Sequence, residues 1–285
     1  MESKNLNGRV LKNRVMKTLF FSATVIALVF LVLLFYRVLS QGWGYLNWNY
    51  ITSFPAPYPE EAGIWPGMIG SLMLMGVVAV VAVTIGISTA IYLEEYSPKN
   101  KLADFIRVNI QNLAGVPSIV FGLLGLTFFV YLFGIGYRLL AGGLTMALLI
   151  LPVVVVSSQE ALRSVPTEVK EASYGMGASK WQTIVRVILP AALPGILTGI
   201  ILSLSRGIGE TAPLIIVGAA TAIYTLPDSL LSKYTVMPIQ IYKWTARPQE
   251  EWQFVAAAGI IVLLIILLLM NAIAVWIRNK YQTRY

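Results

Sequence analysis

Long apolar runs separated by short charged segments are the dominant pattern of this chain. A helix needs about 20 mainly apolar residues to cross a hydrocarbon core of roughly 30 Å. Six segments meet that requirement, and we predict a membrane-spanning helix in each: Thr18–Tyr36, Ala62–Leu93, Val108–Tyr137, Leu139–Gln159, Val187–Pro227 and Trp252–Ile277. The pattern therefore predicts an all-α integral membrane protein with six transmembrane helices.

The first apolar run is predicted to be a retained membrane anchor. A basic leader runs to Lys17, and no A-x-A cleavage site follows the apolar run. The run is also longer than the roughly 7–15 residues typical of a signal peptide. We therefore expect this helix to stay in the mature protein.

Composition agrees with a membrane location and excludes several kinds of chemistry. The 285 residues are 57% hydrophobic and only 12% charged, whereas soluble domains have about 25% charged residues. The chain contains no cysteine and no histidine. Disulfides, thiolate nucleophiles, Cys/His metal sites and imidazole acid–base catalysis are therefore excluded. The net charge of +8 is explained by membrane topology and does not indicate nucleic-acid binding.

Lysine and arginine are distributed unevenly between the two sides of the predicted spans. Cytoplasmic segments of membrane proteins carry an excess of these residues. A cytoplasmic N-terminus places 15 of them on that side and five on the other, so we predict that both termini are cytoplasmic. The predicted organisation is a cytoplasmic segment (1–17), a first transmembrane helix (18–39), an extracytoplasmic connector (40–65), a core (66–277) and a cytoplasmic tail (278–285).

Two segments on the predicted outer side differ from simple loops. Ser40–Gly63 is rich in Trp and Tyr and contains "SFPAPYPEE", which is typical of an interfacial, extended connector. Ala219–Glu251 is predicted to form an amphipathic surface helix with a loop.

The cytoplasmic segment Glu160–Pro190 has signals for two short helices. Pro166 and Thr167 begin the first helix, which the glycines at 175 and 177 end. Ser179 and Gln182 form a capping box that begins the second. This pattern predicts a rigid protrusion, although an ordinary amphipathic surface loop is the alternative on these features alone.

An arginine and a glutamate interrupt the fifth predicted span. Arg206 and Glu210 lie in "SRGIGETAPL", and no other charged residue occurs from Val187 to Pro227. Charges inside a bilayer are costly and usually have a partner or a task. At i and i+4 the two side chains share one helical face and can form a structural ion pair. The other hypothesis is an electropositive station for an oxyanion, because the planar guanidinium binds tetrahedral oxyanions bidentately.

Three further groups are weaker candidates. Gly115, Pro117 and Ser118 interrupt the third span and either allow close helix packing or form a wall of a pathway. Glu94 and Glu95 end the second span, at the interface or in contact with a partner. Arg138 is predicted to be a surface anchor at an outer turn.

The Glu160–Pro190 segment resembles the coupling loop of permease subunits in type I ABC importers. The family motif has E-A-A, three residues, Gly, nine residues and I-x-L-P. Here Glu171-Ala172-Ser173 precedes Gly177, and nine residues later come Val187, Leu189 and Pro190. The resemblance implies a coupling helix between the fourth and fifth transmembrane helices that docks on a separate ATPase. Its coupling residues would be Glu168, Glu171, Ala172, Gly177 and Ala178.

Several other stretches are similar to the PstA-type permeases of phosphate importers, which have a MetI-like fold. These stretches include "GVPSIVFG" and "GETAPL". With phosphate as the ion that the resemblance implies, Arg206 and Glu210 are the candidate translocation residues of the oxyanion hypothesis, and the membrane would be a prokaryotic plasma membrane. The resemblance also implies four partners besides the bilayer, namely phosphate, a PstC-like second permease, a PstB-like ATPase homodimer and a PstS-like phosphate-binding protein.

Other functions are left open by the residues themselves. No G-x-x-x-x-G-K-[ST] motif occurs, so ATP and magnesium are expected on the partner ATPase, and we expect no cofactor on this chain. An importer of another oxyanion, such as molybdate or sulfate, is the nearest alternative. An ion-coupled secondary transporter would have inverted repeats, and an intramembrane enzyme would need a catalytic cluster that the spans lack.

Overall fold

The computed structural model describes residues 3–98, 100–219, 223 and 225–280, with side chains from residue 8 onward. The regular structure of these residues is helical. Their α-helices are α1 (Ser3–Gly42), α2 (Trp48–Thr52), α3 (Trp65–Ile91), α4 (Lys101–Leu113), α5 (Ser118–Gly125), α6 (Leu139–Arg163), α7 (Thr167–Gly175), α8 (Lys180–Thr183), α9 (Leu189–Ile208), α10 (Ala212–Ile216), α11 (Met237–Thr245) and α12 (Glu251–Lys280). Three π-helical segments continue α3, α5 and α8, at Tyr92–Tyr96, Leu126–Leu132 and Ile184–Ile188.

Five helical segments of the described residues are long and apolar enough to cross a membrane. They overlap the first, second, fourth, fifth and sixth predicted spans, at Gly8–Tyr45, Trp65–Tyr96, Leu139–Arg163, Lys180–Ile208 and Glu251–Lys280. A sixth span results if α4 and the segment Ser118–Leu132 are counted as one bent pair. The predicted all-α membrane architecture is confirmed.

The third predicted span, Val108–Tyr137, is not one straight helix. Its two parts, α4 and Ser118–Leu132, are bent by 105° relative to each other. Proline lacks a backbone N–H and disfavours helical geometry in the residue before it, so Pro117 separates the two parts. The apolar portion therefore begins at Ser118 and reaches membrane length only together with α4, which is a charged helix capped by the side chain of Asn100.

The fifth predicted span, Val187–Pro227, differs from the structure at both ends. It begins earlier, because α8 and α9 are parts of one continuous helix, Lys180–Ile208. The second helix of the 160–190 segment is therefore the start of this span rather than a separate short helix. The span also ends earlier, since Gly209–Thr211 separate α9 from α10. Parts of this prediction (220–222 and 224) and of the predicted tail (281–285) lie outside the described residues.

The core of the bundle is built around α6, which packs against α3, α5 and α9. Val78 and Ala82 of α3, Val154 of α6 and Ile196 of α9 are fully buried in one apolar cluster. By contrast, α1 packs mainly on α12 and leaves most of its side chains exposed. Exposed apolar side chains on membrane helices face lipid or another subunit.

A second apolar cluster closes the end of the bundle where α3 begins. Tyr50 of α2, Trp244 of α11 and Trp252 of α12 are buried together there. The Tyr50 hydroxyl donates a hydrogen bond to the carbonyl of Val255 at 3.0 Å. The helix predicted in the Ala219–Glu251 segment is present as α11, and most of its residues are buried against the bundle while Tyr242 and Thr245 are exposed.

Candidate functional site

The segment between α6 and α9 contains the predicted coupling residues. Glu168, Glu171 and Ala172 are exposed on α7, Gly177 is exposed at the corner after it, and Ala178 is half-buried. Gly177 has a φ of +83°, a conformation that costs other L-residues about 1–2 kcal/mol. The predicted glycine corner is therefore present.

The corner is fixed on both sides by hydrogen bonds. The predicted capping box is confirmed, because the Ser179 side chain accepts from the Gln182 N–H while the Gln182 side chain accepts from the Ser179 N–H. The hydroxyls of Ser173 and Thr183 are 2.9 Å apart and join α7 to α8. Ser173 occupies the position where the importer motif has alanine, so this departure adds a contact across the corner.

The exposed surface of this segment is partly apolar. Large apolar side chains there are exposed by 42% to 89%, namely those of Val169, Tyr174, Met176 and Trp181. An apolar patch surrounded by polar residues is typical of a protein-interaction site. α7 and its corner therefore present a rigid surface suited to a partner protein.

Two glutamates at the end of α3 hold this segment in place. Glu94 accepts from Arg163 in bidentate fashion, at 2.9 Å to Nε and 2.8 Å to Nη2, and from the side-chain amide of Gln159 at 2.8 Å. Glu95 accepts from Nζ of Lys170, on α7, at 2.7 Å. We call Glu94, Glu95 and these three partners the carboxylate clamp.

The two carboxylates of the clamp are shielded from solvent, whereas the side chain of Arg163 is 45% exposed. The side chains of Glu94 and Glu95 are 12% and 8% exposed, respectively. Ion pairs in such positions depend strongly on both partners, since removing one leaves a poorly solvated charge. Lys180 adds a cation–π contact, with Nζ 4.8 Å from the ring centre of Tyr96. The end of α3 therefore holds both α7 and the start of α8.

Sequence reasoning missed the clamp. Glu94 and Glu95 were expected at the interface or in contact with a partner, whereas the structure directs both carboxylates into the chain itself. Their partners lie 65 to 75 residues away in sequence, and no local periodicity indicates such pairs. The sequence shows only that two adjacent acidic residues follow an apolar run.

Arg206 and Glu210 line one crevice but do not form the ion pair that is one of the two hypotheses for them. Among the described residues, no salt bridge joins the two side chains. α9 ends at Ile208, so Glu210 lies beyond the helix on which Arg206 sits. The Glu210 N–H donates to the carbonyl of Gly207 at 3.1 Å in the turn that follows α9. The simple i,i+4 geometry is therefore lost.

Both charged residues line one narrow crevice between α6 and α9. Its volume is about 10 Å³, which is the space of about one water molecule. Arg206 is exposed and Glu210 is half-buried. The other lining residues are Leu149, Ile150, Val153, Ser203 and Gly207. A tetrahedral oxyanion does not fit inside the crevice, so Arg206 can contact one only on its open side.

The residues predicted to form a pathway wall lie at the bend before α5. Gly115 and Pro117 are exposed in the break, and Ser118 is the first residue of α5. α5 in turn packs against α10. A Cβ atom added to Gly122 would lie 2.8 Å from Cα of Pro213, so the "GVPSIVFG" and "GETAPL" stretches are in direct contact.

A metal centre has no support in the described residues, because no group of three or more acidic side chains there could hold a metal ion. The arrangement consists instead of a rigid exposed protrusion at one end, a clamp that joins it to the bundle, and a charged crevice beside α9.

Comparison with known proteins identifies this arrangement. The sequence profile of the family described as "Binding-protein-dependent transport system inner membrane component" matches residues 82–283. The chain belongs to this family. The matched range includes the carboxylate clamp, the α7 protrusion and the Arg206–Glu210 crevice.

Individual proteins are similar to this chain over nearly its whole length. Phosphate transport system permease protein PstA 1 of Mycobacterium tuberculosis is 36% identical over 275 residues, 95% of this chain and 90% of the relative. PstA of Mycobacterium leprae is 39% identical over 280 residues, 93% and 88% of the two chains. The resemblance to PstA-type permeases is confirmed.

A solved structure supports the fold. A chain of a bacterial alginate ABC transporter, in complex with its alginate-bound periplasmic protein, matches with a TM-score of 0.70. Sequence identity is 14%, and the match covers 98% of this chain and 99% of that one. The likeness confirms the predicted ABC importer permease fold.

Proposed function

We propose that this chain is the PstA-type membrane subunit of an ATP-driven importer of inorganic phosphate. The observation that carries the proposal is the similarity to relatives named as phosphate transport permeases over 93% to 95% of the chain. Those relatives do not favour a secondary transporter or a permease for another oxyanion. The chain would form half of the translocation pathway and would not hydrolyse ATP itself.

Arg206 is the proposed contact for phosphate. It is exposed beside an apolar crevice and makes no ion pair or hydrogen bond with the part of the chain that the structure describes. A guanidinium in this state can bind two phosphate oxygens at once. Since the crevice is too small for the ion, phosphate would pass between Arg206 and the facing second permease.

Glu210 would make the Arg206 contact reversible. Conduction requires an ion site that binds strongly enough to admit the ion and weakly enough to release it. A carboxylate on the same crevice lowers the attraction of Arg206 for an anion without neutralising it through a direct bond. Gly115, Pro117 and Ser118 would form part of the same pathway wall at the start of α5.

The α7 protrusion would dock on a separate ATPase. Its exposed apolar side chains offer the contact surface, with Glu168, Glu171 and Ala172 beside them. Movement of α7 would reach α3 through the Lys170–Glu95 pair, and α9 through the continuous helix that begins at Lys180. ATP-driven motion at one end could therefore alter the crevice beside Arg206.

The remaining partners follow from the same proposal. The machine would contain a second permease, an ATPase homodimer and a phosphate-binding protein on the outer side of a prokaryotic plasma membrane. Both termini would be cytoplasmic, together with the α7 protrusion. ATP and magnesium would bind to the ATPase, with no cofactor on this chain.

The direct test is ATP-dependent uptake by the purified complex in liposomes. The chain is co-expressed with the permease, ATPase and binding-protein subunits of its importer, and uptake of phosphate, sulfate and molybdate is measured separately. We expect uptake of phosphate and little uptake of the other two anions. Preferential uptake of sulfate or molybdate, or phosphate uptake that persists without ATP, would contradict the proposal.

A further inference from the structure

A second basic site lies at the opposite end of the bundle from the α7 protrusion. A cleft of about 280 Å³ is open between the Pro55–Pro57 stretch and one face of α11. α11 lies beside Gly67 near the start of α3, whereas the carboxylate clamp lies at its end. α3 has 27 residues, so at 1.5 Å per residue roughly 40 Å separate the two sites. We call this cavity the α11 cleft.

The polar side chains of the α11 cleft come from α11 and the turn that follows it. Gln240 and Lys243 are three residues apart and lie on one face of α11, and Arg247 lies just beyond the end of the helix at Thr245. Pro55, Ala56, Pro57 and Trp244 complete the lining, which contains no carboxylate. Glu60 and Glu251 line a separate neighbouring cleft. The chemistry of the α11 cleft therefore favours an anion.

Two of these groups lack a partner among the residues that the structure describes. Gln240 is only 6% exposed, yet its side-chain amide makes no hydrogen bond among the described residues. Lys243 is half-buried and makes no ion pair or hydrogen bond there either. Burial lowers the pKa of Lys243 from its ordinary value. Both residues line the open cleft, so their unpaired donors are available to a ligand.

Arg247 is held in place at the edge of the cleft. Its guanidinium carbon lies 3.8 Å from the ring centre of Trp252, and Nη1 donates to the carbonyl of Pro57 at 3.4 Å. These contacts fix the position of the guanidinium and leave it without a carboxylate partner. An ammonium, a guanidinium and an amide that face one small cavity match the needs of a phosphate group.

We propose that the α11 cleft binds inorganic phosphate before the ion reaches Arg206, with Gln240, Lys243 and Arg247 as ligands. This inference rests on the proposed function, since it adds a second phosphate-binding site to the same translocation pathway. The volume of the cleft accommodates one phosphate with some of its water. The site binds phosphate weakly, because the cleft is open and the bound ion stays partly hydrated.

Phosphate binding to the two-permease complex in nanodiscs tests this site. The probe is radiolabelled inorganic phosphate, added without the binding protein or ATP. Lys243→Gln is the main variant, because the Lys243 side chain makes no ion pair or hydrogen bond among the described residues, and Lys243→Arg keeps the charge. Lys233→Gln, which removes an exposed lysine of the segment before α11, is the matched control.

We expect Lys243→Gln to weaken phosphate binding by about tenfold, the factor typical of one charge-assisted hydrogen bond. Lys243→Arg and Lys233→Gln should bind within about twofold of the unsubstituted protein. In liposome uptake, Lys243→Gln should raise the half-saturating phosphate concentration and leave the maximal rate unchanged. Equal binding by Lys243→Gln and the unsubstituted protein would overturn the inference.

Two other outcomes would also overturn it. The measurement is made in nanodiscs of zwitterionic lipid and of anionic lipid. If the cleft binds lipid headgroups instead, anionic lipid will compete with phosphate and abolish its binding. A docking site for an acidic protein surface predicts that Lys243→Gln weakens only the affinity for the binding protein. Failure of the proposed function is distinguishable, because the unsubstituted complex would then not transport phosphate at all.

Discussion

Glu210 does not pair with Arg206, although their spacing in the sequence would allow an ion pair on a helix. The i,i+4 spacing of Arg206 and Glu210 predicts a paired ion, but α9 ends between them and the pair does not form. The end of the helix follows from "GIGE", since glycine has low helix propensity. The length of the apolar run does not predict where α9 ends, because the residues on both sides of the break are equally hydrophobic.

Removing the Glu210 charge should strengthen the hold on phosphate and slow its release. We expect Glu210→Gln to lower both the half-saturating phosphate concentration and the maximal uptake rate, each by about threefold to tenfold, since the attraction between Arg206 and the anion is no longer opposed. Concentration-dependent uptake in liposomes measures both quantities. Glu250→Gln, at an exposed site before α12, is the control. A lower rate with a higher half-saturating concentration would contradict this role.

At the scale of helices, the carboxylate clamp connects elements that are far apart in the chain. The sequence allows the approximate positions of the membrane helices and the glycine corner after α7 to be predicted, because apolar runs and turn residues are local properties. It does not allow the clamp to be predicted, because Glu94 and Glu95 meet partners from α6 and α7. Gly115, Pro117 and Ser118 indicate an interruption of the third span, but they do not give the 105° angle before α5, because that angle depends on how α4 and α5 pack against α6.

Reversal of one clamp pair should uncouple uptake, and double reversal should restore it. We expect Glu95→Lys to reduce phosphate uptake by about tenfold, because it places two shielded positive charges side by side. Lys170→Glu should act similarly, whereas the double variant re-forms the pair and should recover most of the uptake. ATP-dependent uptake is measured at equal amounts of assembled complex.

Glu250→Lys, which changes an exposed charge far from the clamp, should leave uptake unchanged. The clamp role is wrong if the double variant is no better than the two single variants. It is also wrong if Glu95→Lys transports normally.

The contact between α5 and α6 should depend on a glycine. A Cβ atom added to Gly125 would lie 2.0 Å from Oγ1 of Thr145, and that hydroxyl is held by a 2.7 Å hydrogen bond to Ala141. Gly125→Ala should therefore destabilise the protein by about 1–3 kcal/mol through overpacking. Thermal unfolding in detergent should show a midpoint lower by about 3 °C or more.

Gly76→Ala is the matched control for this contact. Gly76 also lies in a membrane-length helix, but an added Cβ atom would meet nothing within 4 Å. Its midpoint should be unchanged or slightly raised, because alanine favours helices more than glycine does. Equal midpoints for the two variants would contradict the proposed close packing of α5 and α6.

At the scale of the whole molecule, the bundle has two different ends. One end has the α7 protrusion and the clamp, and the other has the buried α11 and its basic cleft. The distribution of lysine and arginine predicts that the protrusion is cytoplasmic. Because the chain contains no cysteine, single cysteines can report this orientation without background labelling.

We expect a membrane-impermeant maleimide to label Glu250→Cys in intact spheroplasts and Met176→Cys only after permeabilisation. Both positions are exposed, so differences in labelling report the side of the membrane. The opposite labelling pattern would reverse the orientation and place the protrusion where no ATPase could reach it.

The central claim is that this chain provides Arg206 to a phosphate pathway driven by a separate ATPase. The most direct test measures phosphate uptake and ATP hydrolysis together, in one liposome preparation, for the unsubstituted complex and for Arg206→Gln. Arg37→Gln, which removes an exposed arginine of α1, is the control. We predict that Arg206→Gln reduces uptake by at least about tenfold while binding-protein-stimulated hydrolysis continues. Unchanged uptake by a fully assembled Arg206→Gln complex would contradict the claim.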